Sequence, residues 1–293
     1  MGIISKLTGD IDLTKCYPLE RFLLNLRSPS AGMGTQSYIP CGGKDIPVRI
    51  YYHYDHKYLM IFIHGGGWVT ESASSYDKIC GSFAKELDCA VVSIDYSLSP
   101  EYKFPTALNE CYSIVKEFIK HTELTGISPD KIFLCGDSAG GNLCAAVSLM
   151  ARDRGEYNIN SQILLYPVTG CDYSDESPFL SVKEKGTGYS LTAVHMRNYT
   201  DMYARGNADR ESPYFAPLKA ISFENLPRTL LITAENDPLR DEGEEYARKI
   251  SAAGGSADIH RIIGAEHGFI RDFPASFAAE AFSYMKDFLG FQK

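Results

Sequence analysis

Short, nearly uninterrupted apolar runs alternate along this chain with stretches of helical periodicity. The runs Cys89–Tyr96 and Lys131–Gly136 are typical of strands buried on both faces of a parallel sheet. Further runs that predict strands are Val48–Tyr54, Tyr58–His64, Ile163–Tyr166, Thr229–Ala234 and Ala257–Ile263. Stretches that predict amphipathic helices are Ala107–Lys120, Asn142–Arg152, Asp241–Ala253 and Ala275–Leu289. This alternation predicts an α/β fold, a mostly parallel central sheet flanked by helices, with an antiparallel edge at its start.

Two segments interrupt the alternation. Residues 1–35 include an amphipathic piece at Leu19–Leu26, and residues 170–220 are rich in Tyr, Ser, Asp and Gly. A structureless loop as long as 170–220 is improbable in a compact domain, so we expect helical cap material there. The predicted organisation is an N-terminal cap segment at 1–35, a core formed by 36–169 and 221–293, and a cap insertion at 170–220.

Composition indicates which classes of binding partner and which cellular compartment suit this chain. Lysine and arginine number 29 against 37 aspartates and glutamates, a formal net charge of −8 that argues against nucleic acid or an anionic membrane as the main partner. No apolar run is long enough for a membrane-spanning helix, and the N-terminus lacks the pattern of a secretory signal. The eight cysteines form no C-x-x-C pair, which favours reduced thiols in a cytoplasmic protein.

The sequence G-D-S-A-G at 136–140 follows a predicted strand and precedes a predicted helix. That context suits a sharp turn that exposes the hydroxyl of a nucleophilic serine, here Ser138, above the sheet. The motif is short enough to occur by chance, and a tight strand-to-helix turn without catalytic role is the alternative interpretation.

The sequence H-G-G-G at 64–67 is more specific, because three consecutive glycines cost backbone entropy that a close approach to bare amides would justify. We interpret it as an oxyanion hole in which Gly66 and Gly67 donate N–H groups, with Gly65 as a further candidate and Ala139 as the donor after the nucleophile. A flexible loop is the structural alternative. His64 precedes the loop and is interpreted as an orienting residue rather than as a base.

Asp237 and His267 complete a candidate Ser-His-Asp triad. Each follows a predicted strand, and the order Ser, Asp, His along the chain is that of the α/β-hydrolases. Asp237 could instead be a helix N-cap, and Asp241 and Glu242 compete for its role. No zinc motif and no dinucleotide-binding glycine pattern is present in the sequence, so we expect no metal and no organic cofactor.

These motifs together resemble the hormone-sensitive-lipase-like family of α/β-hydrolase esterases. The similarity rests on HGGGW at 64–68, DYSLSPEYKFPTAL at 95–108, GDSAGGNL at 136–143, DPLRDEGEEYA at 237–247 and EHGF at 266–269. It implies an α/β-hydrolase core with a helical cap, the triad Ser138, Asp237 and His267, and an oxyanion hole at Gly66, Gly67 and Ala139. In one departure, Ser97 and Ser99 stand where the family usually has Arg and Ala.

The sequence therefore predicts a serine carboxylesterase that hydrolyses short-chain acyl esters of a small molecule through an acyl-enzyme. An amidase, peptidase or arylamide deacetylase would use the same residues, and a non-catalytic receptor would be expected to lack a triad member. By resemblance, a homodimer through the last strand or helix is compatible with the sequence. Aromatic residues of the cap that could line a pocket, or could simply pack, are Tyr189, Tyr199, Tyr203, Tyr214 and Phe215.

Overall fold

A computed structural model describes residues 34–52, 56–122 and 125–290. Its described part contains an eight-stranded sheet with the order β1-β2-β4-β3-β5-β6-β7-β8. The strands are β1 (Thr35–Cys41), β2 (Lys44–Tyr51), β3 (Tyr58–Ile63), β4 (Cys89–Ile94), β5 (Ile132–Asp137), β6 (Ser161–Leu165), β7 (Arg228–Asn236) and β8 (Ala257–Glu266). The helices are α1 (Asp77–Glu86), α2 (Thr106–Lys120), α3 (Ala139–Arg154), α4 (Leu180–Lys185), α5 (Ala193–Tyr203), α6 (Asn207–Arg210), α7 (Arg240–Ala252) and α8 (Ser276–Leu289). The predicted α/β class is confirmed.

The start of the sheet is antiparallel and the rest is parallel. β1 and β2 form a hairpin, β2 runs antiparallel to β4, and every later pairing from β4 to β8 is parallel. β2 and β3 follow one another in the chain but do not pair, because β4 lies between them. β3 is buried along almost its whole length because it lies in the middle of the sheet. β2 lies nearer the edge and is more exposed.

Both faces of the sheet are covered, which explains why the central strands are apolar at every position. In β3, Ile61 and Ile63 pack into the core beneath α2, α3 and α7, while Met60 and Phe62 pack into the core beneath α1 and α8. Alternate residues of a strand point to opposite faces, so a strand with helices on both sides has no polar period. This arrangement fixes the sheet rigidly and leaves its ends for loops.

The segment 170–220 contains α4, α5, α6 and a short 3₁₀ turn at Pro217–Lys219. It packs on the core through aromatic rings: Trp68 stacks on Tyr203 with ring centroids 4.4 Å apart, and Phe215 contacts both. Residues 1–33, which include most of the predicted N-terminal cap segment, lie outside the described residues. Among the helices of the described ranges, none is both long and apolar enough to cross a membrane.

Candidate active site

The predicted site residues lie at one edge of the sheet, since each follows the last residue of a parallel strand. Ser138 follows β5, Asp237 follows β7, His267 follows β8, and the loop that begins at His64 follows β3. Parallel strands end at the same edge, so four loops separated by up to 203 residues of sequence converge there. These positions can be predicted from the sequence because the end of each apolar run indicates where a strand ends.

Ser138 occupies a strained turn between β5 and α3. Its φ of +53° with ψ of −120° is a conformation that residues with a side chain rarely adopt. Gly140 makes the turn sterically feasible, because a Cβ at that position would lie 1.9 Å from the carbonyl oxygen of Ile63. The turn therefore places the Ser138 hydroxyl at the N-terminal end of α3, where the helix dipole favours developing negative charge.

Ser138, His267 and Asp237 form a continuous chain of hydrogen-bonding distances. His267 Nε2 lies 2.9 Å from Ser138 Oγ, and His267 Nδ1 lies 2.6 Å from Asp237 Oδ2. All three side chains are buried, and the ring of Tyr166 packs edge-on against the imidazole at 4.7 Å. This geometry allows the imidazole to remove the hydroxyl proton while the carboxylate holds the ring and stabilises it when charged.

The carboxylates that compete with Asp237 in the sequence are engaged elsewhere. Asp241 accepts a hydrogen bond from the Ser181 N–H at 2.7 Å, and Glu242 accepts from the Thr169 N–H at 2.8 Å. Asp237 accepts from the Leu239 N–H at 2.9 Å with one oxygen while the other faces His267. The cap-like role and the contact with the histidine are thus compatible in one side chain.

The loop at 64–67 presents backbone amides beside Ser138. Gly66 and Gly67 have φ values of +106° and +61°, and within the described ranges neither of their N–H groups, nor that of Ala139, donates to a protein acceptor. The N–H of Gly65, by contrast, donates to Asp137 Oδ1 at 2.7 Å. This corrects the expectation that Gly65 could be a further donor to an oxyanion, because its amide hydrogen is already used.

Sequence reasoning missed a buried polar cluster around Asp137. Tyr76 donates its hydroxyl to Asp137 Oδ2 at 2.9 Å, and the Arg271 guanidinium lies 4.6 Å from the centroid of the Tyr76 ring while pairing with the buried Glu71 carboxylate. Burial raises the pKa of the Asp137 carboxyl, against the opposing effects of the Tyr76 hydroxyl and the Arg271 charge. Nothing in the sequence marks this cluster, except that Asp137 belongs to the serine motif and Arg271 follows His267 closely.

The candidate pocket aromatics of the cap have different surroundings. Tyr199 lies against the glycine loop, since a Cβ on Gly67 would be 2.4 Å from the Tyr199 Cγ. Tyr203 and Phe215 are fully buried in packing contacts, and Tyr214 donates its hydroxyl to Asp153 at 2.8 Å. The Tyr189 ring lies 5.2 Å from the Lys185 amino group. Tyr199 is therefore the one of these five rings that the structure places against the glycine loop at 64–67.

Comparisons with known proteins agree with this architecture. Residues 60–271 match the family described as alpha/beta hydrolase fold. The chain is 36% identical over 77% of its length to an arylesterase from Saccharolobus solfataricus, and 34% identical over 78% to an ethyl acetate hydrolase from Pseudomonas putida, covering 73% of each relative. A hyperthermophilic esterase structure from Pyrobaculum calidifontis superposes with a TM-score of 0.86 at 33% identity, covering 98% of this chain and 95% of that one.

Proposed function

Because the chain belongs to the α/β-hydrolase fold family, we propose that it is a serine carboxylesterase whose reaction is carried by Ser138, His267 and Asp237. The observation that carries the proposal is the Ser138–His267–Asp237 chain, with its 2.9 Å and 2.6 Å separations, at the carboxyl edge of the sheet. Relatives named as esterases support the reaction class.

In the proposed acylation step, Ser138 Oγ attacks the ester carbonyl carbon while His267 Nε2 takes the hydroxyl proton. The carbonyl oxygen becomes an oxyanion that accepts hydrogen bonds from the N–H groups of Gly66, Gly67 and Ala139. The intermediate collapses by breaking the bond to the alkoxy group, which takes the proton from His267 and leaves as the alcohol. The acyl group remains on Ser138 as an ester.

In the proposed deacylation step, water attacks the acyl-enzyme carbonyl while His267 removes one of its protons. The same amides stabilise the second oxyanion, and its collapse breaks the bond to Ser138 Oγ, which recovers the proton from His267. The carboxylic acid is released. Asp237 keeps Nδ1 protonated and stabilises the imidazolium in both steps. Every group in these steps belongs to this chain, its substrate or water.

The proposed substrates are esters of small molecules with short acyl groups. The enclosed setting of the site supports this size limit, because Ser138 and His267 are 6% and 5% exposed and Tyr199 of the cap lies against the glycine loop. The printed names of the relatives, an arylesterase and an ethyl acetate hydrolase, support small alcohols and short acids as the class to test first.

A series of p-nitrophenyl esters from acetate to palmitate tests the proposal, with Ser138→Ala as the control. We expect kcat/KM to peak for acyl groups of about two to six carbons, and we expect turnover to vanish in the folded variant. Matched p-nitroanilides distinguish the alternative: hydrolysis of anilides without hydrolysis of esters would assign an amidase. A folded protein that cleaves neither would contradict an enzymatic role.

A homodimer through β8 is also proposed. β8 ends the sheet, and Ile263 on it is 65% exposed. An edge strand of ten residues offers unpaired backbone groups to a second copy. Light scattering should give twice the chain mass for the wild type and the chain mass for Ile263→Lys. A monomeric wild type at micromolar concentration would overturn this.

A reducing, cytoplasmic location is proposed as well. The seven cysteines within the described ranges are thiols, six of them buried, and no pair of them is bonded there. A fluorescent fusion that fills the cytoplasm would agree with the proposal, and one confined to a secretory compartment would contradict it.

A further inference from the structure

Asp137 is the last residue of β5 and directly precedes the nucleophile, and its carboxylate contacts the loop at 64–67. Its Oδ1 accepts the Gly65 N–H at 2.7 Å and its Oδ2 accepts the Tyr76 hydroxyl at 2.9 Å. The side chain is almost completely buried. A buried carboxylate is costly unless its oxygens are hydrogen-bonded. Both oxygens of Asp137 are, and one of these bonds joins it to the loop beside the reacting serine.

Three consecutive glycines would otherwise leave this loop free to adopt many backbone conformations. The peptide plane between His64 and Gly65 is held at both ends, because the His64 carbonyl accepts the Tyr96 hydroxyl at 2.9 Å while the Gly65 N–H is held by Asp137. The next plane is oriented by His64 Nδ1, which lies 2.8 Å from the Gly65 oxygen.

The direction of the free amides follows from these contacts. In a trans peptide the C=O and N–H groups point in opposite directions, so fixing the Gly65 oxygen also fixes the Gly66 N–H. The Gly66 oxygen accepts from the Thr70 N–H and hydroxyl, each at 2.9 Å, which in the same way fixes the Gly67 N–H. Hydrogen bonds thus fix three successive peptide planes of the loop, and the bond from the Gly65 N–H to Asp137 holds the first of them.

We infer that Asp137 is a positioning residue for the oxyanion hole: by holding the Gly65 N–H, it fixes the loop that presents the Gly66 and Gly67 amides to the substrate carbonyl. This inference rests on the proposed esterase function. The role of Asp137 is separate from the catalytic triad, which consists of Ser138, His267 and Asp237.

The surroundings hold Asp137 in place. Tyr76, which directly precedes α1, donates its hydroxyl to the carboxylate, and the Arg271 guanidinium packs on the Tyr76 ring. Arg271 also pairs with Glu71, whose Cγ would lie 2.9 Å from a Cβ on Gly66. The loop that carries the base and the loop that carries the amides therefore meet at this cluster, which favours one geometry for both.

Two substitutions separate the accepting oxygen from the bulk of the side chain. Asp137→Asn keeps an oxygen that accepts the Gly65 N–H, whereas Asp137→Leu keeps the branched skeleton of the side chain and accepts nothing. We expect Asp137→Asn to keep kcat for p-nitrophenyl acetate within about threefold of the wild type. We expect Asp137→Leu to lower kcat by about 10- to 100-fold with KM little changed, because the misplaced amides act on the transition state.

A trifluoromethyl ketone supplies a readout that a merely structural residue would not change. It forms a tetrahedral adduct with serine whose oxyanion needs the same amides, so its inhibition constant should rise in Asp137→Leu by the same factor as kcat falls. Glu110→Met is the matched control, since Glu110 is also buried and accepts a backbone N–H, that of Ser97 at 2.7 Å. It should lower Tm while leaving kcat and ketone affinity unchanged.

The inference would be overturned by a folded Asp137→Leu protein with wild-type kcat and ketone affinity, or by an Asp137→Asn protein as impaired as Asp137→Leu. If the leucine variant does not fold, hydrogen exchange of the ¹⁵N-glycine-labelled wild type decides. The Gly65 amide should exchange slowly, and exchange at the rate of an exposed glycine amide would refute its bond to Asp137. A wild type without esterase activity would instead refute the function on which the inference rests.

Discussion

The ring of Tyr199 on α5 occupies the space that a side chain at Gly67 would need, with the ring Cγ 2.4 Å from the position of a Cβ there. Helix α5 of the segment 170–220 thus contacts the glycine loop at 64–67 directly. Two independent features disfavour a side chain at Gly67: this contact, and its φ of +61°, which residues with a side chain adopt only at a cost. The glycine is required by the fold of the site as well as by its chemistry.

Gly67→Ala should lower kcat by about 100-fold or more, because the loop must move to relieve the contact with Tyr199 and its amide then leaves the oxyanion position. Kinetics with p-nitrophenyl acetate measure this directly. Gly155→Ala is a matched control, since Gly155 has nearly the same φ, +62°, but open space around it. The control should lose about 1 kcal/mol of stability from backbone strain and no activity. Equal activity in the two variants would contradict the steric account.

Asp237→Asn should lower kcat by about three to four orders of magnitude, since the amide no longer favours the histidine tautomer that accepts the serine proton. Asp241→Asn is the control, because Asp241 follows closely in the chain but contacts Ser181 and Arg240 instead of His267. It should retain kcat within a few-fold. If Asp241→Asn were the inactive variant, the assignment of the acid would be wrong.

Glu242 should make the stability of the protein depend on pH. Burial raises the pKa of this carboxyl to about 7 from an ordinary value near 4.5, despite hydrogen bonds from the N–H groups of Thr169 and Gly170 and the Tyr173 hydroxyl. Between these two pH values the folded state holds a proton that the unfolded chain releases, so this group's contribution to stability falls as pH rises through that window, by about 3 kcal/mol.

Glu242→Gln keeps an accepting oxygen and cannot ionise, so its stability relative to the wild type should rise from pH 4.5 to pH 7 and then level off. Urea denaturation at intervals of pH measures the difference. Asp209→Asn is a control of opposite sign in a lower window, because Arg205 lowers the pKa of Asp209 below its ordinary value of 3.8. The asparagine variant should lose relative stability as pH rises towards 3.8 and should show no further change from pH 4.5 to pH 7. Parallel curves for the wild type and Glu242→Gln would contradict the assignment.

Lys44 should compensate for the arginine that the chain lacks at position 97. Its amino group donates to the Ser97 hydroxyl at 2.9 Å and pairs with the buried Glu110 carboxylate. Because the lysine is half exposed, Lys44→Met should cost only about 1 kcal/mol in the free energy of unfolding. Ser97→Arg in the Lys44→Met background should restore that loss, as measured by Tm. No recovery would mean that the two positions are not equivalent.

Features that depend on short stretches of sequence could be predicted from the sequence alone. Ser138, Asp237 and His267 could be located because each follows an apolar run, and an apolar run marks a strand that ends at the carboxyl edge. β1 was missed because its exposed, alternating residues lack such a run. Helix α1 was missed as well, since the apolar run of β4 follows it after two residues and no strong start signal precedes it.

Features set by long-range contacts were beyond local patterns. The pairing of β2 with β4 instead of β3 depends on which strands are buried on both faces, and the contact of Lys44 with Glu110 spans 66 residues. The use of the Gly65 amide by Asp137 spans 72 residues, so the glycine motif alone could not show which of its amides stay free.

Labelling by a fluorophosphonate followed by peptide mapping tests directly whether Ser138 is the nucleophile. We expect one phosphonyl group per chain, located on Ser138, and we expect esterase activity to fall in proportion to the fraction of chains labelled. Ser138→Ala, with the folded wild-type CD spectrum, should take up no label and show no turnover. Stoichiometric label on another residue, or full esterase activity in Ser138→Ala, would contradict the assignment of Ser138 as the nucleophile.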